Sequence, residues 1–323
     1  MRALWAVAFM TCAATPVAAR DPLLRFPVDC TLGQDCFIQN YVDVDPSKGV
    51  ADFTCGALSY DGHTGTDIAL ISDAAAAMGV NVTPAAPGIV RRLRDGMQDQ
   101  FFESAFQHPE GQDCGNGVLI DHGGGWESQY CHLRMRSIAV EVGQRVGLQT
   151  VLGEIGMSGR TEFPHLHLSL RKDGRTVDPF NATSLTYCGD TEQTTLWDTS
   201  IPYRASGFVS AGFSSALPEY AAVKWGQAHN ETLSTQAGAL VLWAQLFGAQ
   251  QDDTLRLTIT GPQGAFFKHE EILDATQARA MQAAGRKLHA ENTVVGDYRG
   301  EAALFRGKVE VDRISATTTL KTP

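Results

Sequence analysis

The chain has 323 residues, 43% of them hydrophobic, which is enough for two cored domains. Its formal net charge of -10 argues against nucleic acid or an anionic membrane surface as a partner. Beyond the N-terminus no apolar run reaches the length of a spanning helix, and no fixed-period repeat or low-complexity tract is visible.

In chain order, Arg2 precedes the apolar run Ala3 to Met10, and Pro16-Val-Ala-Ala19 places small residues where a signal peptidase reads. Residues 1–19 are therefore expected to be a signal peptide cleaved after Ala19, and the protein to be exported, to the periplasm. Lipidation at Cys12 fits less well, because Phe9-Met-Thr lacks an aliphatic lead. Without these residues the chain keeps 25 basic against 36 acidic residues and six cysteines. An even cysteine count in an exported chain suggests disulfides, and three bridges among six cysteines can be drawn in fifteen ways. Cys30 and Cys36 could close a short loop and Cys114 and Cys131 flank a predicted hairpin, which leaves Cys55 for Cys188; alternatively Cys131, beside His132, is a metal ligand or reactive thiol. Residues 20–54 are turn-rich and read as a disulfide-pinned lead-in with little regular structure, with a structural rather than inhibitory role.

Residues 55–190 carry the chemistry. Short strands are predicted over Pro84 to Arg91, Gly117 to Asp121, Ser128 to Leu133 and Thr150 to Ile155, with one helical turn or loop at Ala74 to Met78. Gly123-Gly-Gly125 lacks the Lys-Ser/Thr of a phosphate loop and reads as a hairpin turn. In Pro164-His-Leu-His-Leu-Ser-Leu-Arg171, Leu166, Leu168 and Leu170 alternate with His165, His167 and Ser169. Period two turns both imidazoles to one face and the leucines to the core. His63 and Asp67 lie in Gly62-His-Thr-Gly-Thr-Asp67, where the glycines let ligands four residues apart converge. Together with His132, these residues offer three zinc ligands and two spare imidazoles. A lone His-x-His is more often structural, but the combination within about a hundred residues points to hydrolytic metal chemistry.

After Cys188 the composition changes. Ala239 to Leu246 reads as a buried strand, Thr254 to Thr260 alternates, and Val294 to Arg306 suggests two strand pieces around Gly-Asp-Tyr. Ala275 to Glu291 is ambiguous, helical by its alanines and arginines but a strand if the domain is a sandwich. The expectation is a β-sandwich-like accessory domain over residues 197–320. His229, His269 and His289 have no partner motif and read as ordinary histidines.

Gly62-His-Thr-Gly-Thr-Asp-Ile68, Gly115 to His122, Tyr130-Cys-His-Leu133, Gly153 to Gly159, Pro164-His-Leu-His-Leu168 and Val177-Asp-Pro179 resemble the lysostaphin-type (LytM-like) zinc metallopeptidases. The resemblance covers roughly residues 55–180. It implies a mainly β chain with an open antiparallel sheet crossed by a groove, Zn2+ on His63, Asp67 and His167, and His132 and His165 acting on the water. It also implies peptidoglycan stem peptides as substrate, with a cell-wall protein partner open to the C-terminal domain. The expected activity is endopeptidase cleavage of peptide crosslinks; the alternative is a non-catalytic activator of a cell-wall amidase. Two departures stand out: Arg160-Thr-Glu-Phe163 replaces a small Ser-Thr-Gly stretch, and a longer segment, 95–114, is expected as a loop near the site, narrowing the groove or covering core.

Overall fold

Alternating apolar residues set the architecture. Leu166, Leu168 and Leu170 are at most 1% exposed while their neighbours face a groove, so one strand serves a core and a site at once. The computed structural model describes residues 21–100, 111–183, 188, 189, 194–289, 291 and 293–323. The expected signal peptide, and residues 101–110 of the inserted loop, lie outside the described residues.

The N-terminal half contains β1 (Cys36–Asn40), β2 (Thr66–Leu70), α1 (Asp73–Ala77), β3 (Asn81–Val82), β4 (Gly88–Arg94), β5 (Asn116–Gly123), β6 (Trp126–Leu133), β7 (Arg145–Val146), β8 (Gly153–Glu154), β9 (His165–Lys172) and β10 (Arg175–Val177). Eight strands form an open antiparallel sheet in the order β1-β2-β9-β6-β5-β4-β7, with β10 pairing the far end of β9. The lead-in differs from expectation: β1 is regular, buried throughout, and extends the sheet beside β2. The helical turn at α1 forms, with the Ser72 hydroxyl accepting from the Ala75 N–H. The glycine triplet turns the β5–β6 hairpin, with Gly124 at φ 59° and Gly125 at φ 84°, the left-handed pair that such a tight turn requires. The predicted Thr150 to Ile155 strand shrinks to β8, which pairs only with the two-residue β3; beside it Leu152 donates to Val82 of β3 and Ile155 makes a single isolated bridge to Leu133 of β6.

The C-terminal half contains β11 (Gly207–Ser214), α2 (Tyr220–Trp225), β12 (Thr232–Ser234), β13 (Ala239–Ala249), β14 (Thr254–Gly261), β15 (Gly264–Ile272), β16 (Gln277–Lys287), β17 (Gly296–Arg306) and β18 (Val309–Lys321). A three-stranded sheet, β11-β13-β16, and a five-stranded sheet, β12-β18-β17-β14-β15, enclose a core built from Leu240, Leu242, Leu246, Leu255, Leu257 and Leu304, among others. The ambiguous 275–291 segment is strand β16, since ten of its residues pair with β13 and cross-strand packing overrides alanine propensity. The two strand pieces expected around Gly-Asp-Tyr are one strand, β17, which begins at that tripeptide.

Two main hydrophobic cores result among the described residues, beside a small cluster of Val223, Ala228 and Trp243. The first joins Leu24 through Trp197 and also takes in Val209 and Phe247 from the C-terminal half. The bridges are Cys30–Cys36, Cys55–Cys188 and Cys114–Cys131. Cys131 is therefore a disulfide cysteine, which overturns its reading as a metal ligand or reactive thiol. No helix among the described residues is long and apolar enough to cross a membrane.

Candidate metal centre

The pairing β2–β9 sets Asp67 opposite His167 and Ala69 opposite His165, and β6–β9 sets Cys131 opposite His167. His63, in the turn before β2, folds over the same face. Gly65 permits this approach: a Cβ there would lie 2.6 Å from the His167 ring and 2.8 Å from the Leu168 carbonyl.

Three ligand atoms converge. His63 Nε2 lies 3.2 Å from Asp67 Oδ1 and 3.2 Å from His167 Nδ1, and His167 Nδ1 lies 2.8 Å from Asp67 Oδ1. Tetrahedral zinc with ligands at roughly 2.0–2.2 Å separates neighbouring ligand atoms by roughly 3.3–3.6 Å. The triangle thus reaches a metal shell with small outward shifts, and its two imidazoles and one carboxylate are a zinc donor set. The alternative ring atoms are already engaged. His63 Nδ1 donates to the Tyr41 carbonyl at 2.6 Å, leaving Nε2 as a lone pair, and His167 Nε2 pairs with the Ser169 hydroxyl at 2.9 Å. Asn40 Nδ2 donates to Asp67 Oδ2 at 3.0 Å, which fixes the carboxylate with Oδ1 toward the histidines.

The electrostatics favour a cation there. Burial opposes charge on Asp67, but the imidazoles of His63 and His165 and the surrounding hydrogen bonds hold its carboxyl well below the usual range. Burial likewise opposes a proton on His63, yet Asp67 and the Tyr41 carbonyl outweigh it and raise its pKa. A field that favours a proton between these groups favours a metal ion as well.

His132 and His165 stand beside this triangle with ring centroids 4.6 Å apart. His132 Nδ1 donates to the Ser158 carbonyl at 2.8 Å, and His165 Nδ1 donates to the Phe163 carbonyl at 2.9 Å. Both rings therefore turn Nε2 away from those carbonyls. Burial first, then the neighbouring His165 and His167, push the His132 pKa well below its ordinary value, keeping the ring neutral and able to accept a proton. His132 has φ 62°, an uncommon conformation for a non-glycine residue, held by its N–H donating to the Cys114 carbonyl and by the adjacent Cys114–Cys131 bridge. All five residues line one open groove of about 700 Å3.

Residues 61–179 match the family described as Peptidase family M23. This segment is an M23 peptidase domain. The peptidoglycan DD-endopeptidase ShyA of Vibrio cholerae is 32% identical over 120 residues, which is 37% of this chain and 23% of that protein. The DD-carboxypeptidase/endopeptidase Mpg of Neisseria meningitidis is 43% identical over 65 residues, 20% of this chain and 14% of that one. A solved zinc-containing peptidase from Vibrio cholerae, 24% identical, aligns over 49% of this chain and 39% of that chain with a TM-score of 0.34. The chain spans less than a quarter of the length of these curated relatives.

Several residues around the M23 site escaped the sequence reading. Asn40 lies 27 residues before its partner in a segment read as loop, so nothing local announced it. Ser169 was within reach, because it shares the face of His165 and His167 on β9. In the departing segment 160–163, the Thr161 hydroxyl lies 3.0 Å from His165 Nδ1 and Phe163 packs on the His165 ring at 4.5 Å. The described start of the inserted segment is pinned beside the groove, with Asp99 accepting from the Met135 and Met157 N–H groups and Asp95 from that of Arg136.

Proposed function

We propose that this chain is an exported zinc-dependent endopeptidase that hydrolyses peptide crosslinks of peptidoglycan, with residues 55–190 as its catalytic domain and 197–320 as an accessory domain. The observation that carries this reading is the convergence of His63, Asp67 and His167 in a groove that also holds two histidines whose Nδ1 atoms are bonded to backbone carbonyls. The domain division is supported by the C-terminal core, which is built from residues of 197–320 alone. Peptidoglycan as substrate is supported by the names of the relatives ShyA and Mpg.

His63, Asp67 and His167 would hold the ion. When bound, zinc supplies a Lewis acid that acidifies a water molecule and polarises a carbonyl. His132 and His165 stand beside these ligands, His165 with its Nε2 3.5 Å from Asp67 Oδ1. Their Nδ1 atoms are committed to the Ser158 and Phe163 carbonyls, so each presents Nε2; one would take a proton from the attacking water and, as the imidazolium it has become, return that proton to the leaving amine, while the other borders the reacting carbonyl. Asn40, Tyr41 and Ser169 hold the ligands in orientation. In a Gram-negative periplasm the bond cut would join D-alanine to a meso-diaminopimelate-type residue. Digesting sacculi with the zinc-loaded chain and separating the muropeptides tests this: dimers should fall and monomers rise in step. Unchanged crosslinking, with wall cleavage appearing only when an amidase is added, would replace it with the activator reading.

A further inference from the structure

The C-terminal half reaches the M23 groove through one strand. Ala278 of β16 lines the groove, and its carbonyl accepts from Gln39 Nε2 at 3.0 Å. Next to it, Arg279 donates from Nε to Gln39 Oε1 at 2.9 Å, so β16 and the edge strand β1 are joined by a reciprocal pair of hydrogen bonds. The Arg279 guanidinium then lies over Phe163, its Cζ 4.0 Å from the ring centroid, and Phe163 packs on the His165 ring at 4.5 Å. The carbonyl of Phe163 is also the acceptor for His165 Nδ1.

Arg279 is an unusual choice for this place. Its Nη2 is buried without a hydrogen-bond partner, no carboxylate among the described residues pairs with it, and burial pulls its pKa down to about 10. A methionine or leucine would fill the space without burying a charge. What the guanidinium adds is a cation held over the face of an aromatic ring. Its cross-strand partner is Phe247, which stacks on Phe37 of β1 at 4.7 Å, so the strand that carries it is anchored in the first core.

We infer that Arg279 of the C-terminal half is a positioning residue for the peptidase site, holding Phe163 so that His165 keeps its Nδ1 bonded and its Nε2 directed into the groove. This rests on the endopeptidase reading for its kinetic consequence but not for its geometry. The accessory half then completes the catalytic groove as well as carrying any surface of its own.

The test compares Arg279→Met, which keeps bulk on Phe163, with Arg279→Lys, which keeps charge, and with Phe163→Leu. On crosslinked muropeptide, Arg279→Met should lower kcat by roughly tenfold to a hundredfold, leave KM and zinc content unchanged, and be partly rescued by lysine. The double variant with Phe163→Leu should be no slower than the slower single variant, because both act along one path. A wild-type kcat in Arg279→Met, a rise in KM alone, or losses that multiply in the double variant would overturn the inference. A second readout needs no hydrolysis. Proton exchange at the His165 imidazole N–H, followed by NMR in the zinc-loaded chain, should accelerate in Arg279→Met and Phe163→Leu; unchanged exchange in a folded Arg279→Met protein also overturns it. Failure of the wild-type chain to cut any muropeptide would instead count against the endopeptidase reading, while the exchange experiment still decides this one.

Discussion

At the scale of single residues, the centre is a set of side chains whose second atoms are all occupied. His63, His132, His165 and His167 each commit one ring nitrogen to a carbonyl or hydroxyl, which leaves the other to point inward. The inward-facing residues were legible in the sequence because period two and close glycines are local signals. Their supports were not, since Asn40, Tyr41 and Ser158 reach the histidines and Asp67 from distant parts of the chain. Asn40→Ala should therefore weaken zinc binding by about 10- to 100-fold without unfolding the protein, measured by competition with a chelator. Retention of wild-type affinity would show that Asp67 orients itself. His132→Ala and His165→Ala should behave oppositely, keeping about one zinc per chain while losing roughly a hundredfold or more in rate. If either variant cut crosslinks at the wild-type rate, its place in proton transfer would be lost.

At the scale of elements, strands with a clean alternation were legible, while those made by pairing alone were not. Strand β9 declares itself by its leucines, whereas β16 has the composition of a helix and is a strand because β13 offers it a ladder. The segment after β10 holds a second effect that composition hides. Asp178 is fully buried, accepts from the Phe180 N–H through Oδ1, and leaves Oδ2 without a partner. Burial, with Asp52 adding to it, pushes its pKa from 3.8 up to about 7. Between these values the folded chain keeps a proton that the unfolded chain has released, so this group makes stability fall as pH rises through the window. The loss is complete above about pH 7 and absent below about pH 4. Asp178→Asn mimics the protonated form, so it should raise the denaturant midpoint at pH 8 and leave it unchanged at pH 4. A variant less stable than wild type at pH 8 would mean that the carboxylate is charged and paired in the folded state.

At the scale of the whole molecule, the two halves are coupled through β13. Leu240, Leu242, Ala244 and Leu246 face the C-terminal core, and Phe247, the next residue, belongs to the first core and stacks on Phe37. The sequence read β13 as a buried strand but could not say that two cores share it, because burial on both faces looks the same whichever neighbour covers each side. Further ties run in parallel: Tyr203 donates to Asp52 at 2.7 Å, and Gln39 exchanges hydrogen bonds with the Ala278 and Arg279 pair. Neither core can open without uncovering part of the other, so the oxidised chain should unfold in one cooperative transition. Phe247→Ala tests the coupling, since removing a fully buried phenylalanine costs about 3–5 kcal/mol and here removes the packing on Phe37 as well. Calorimetry should then resolve two transitions, the earlier one accompanied by loss of zinc retention as β1, carrying Asn40, loses its cover. A single transition merely shifted to lower temperature would assign the coupling to the polar ties, and the same scan on Gln39→Ala, which cuts both bonds to β16, should in that case show the split.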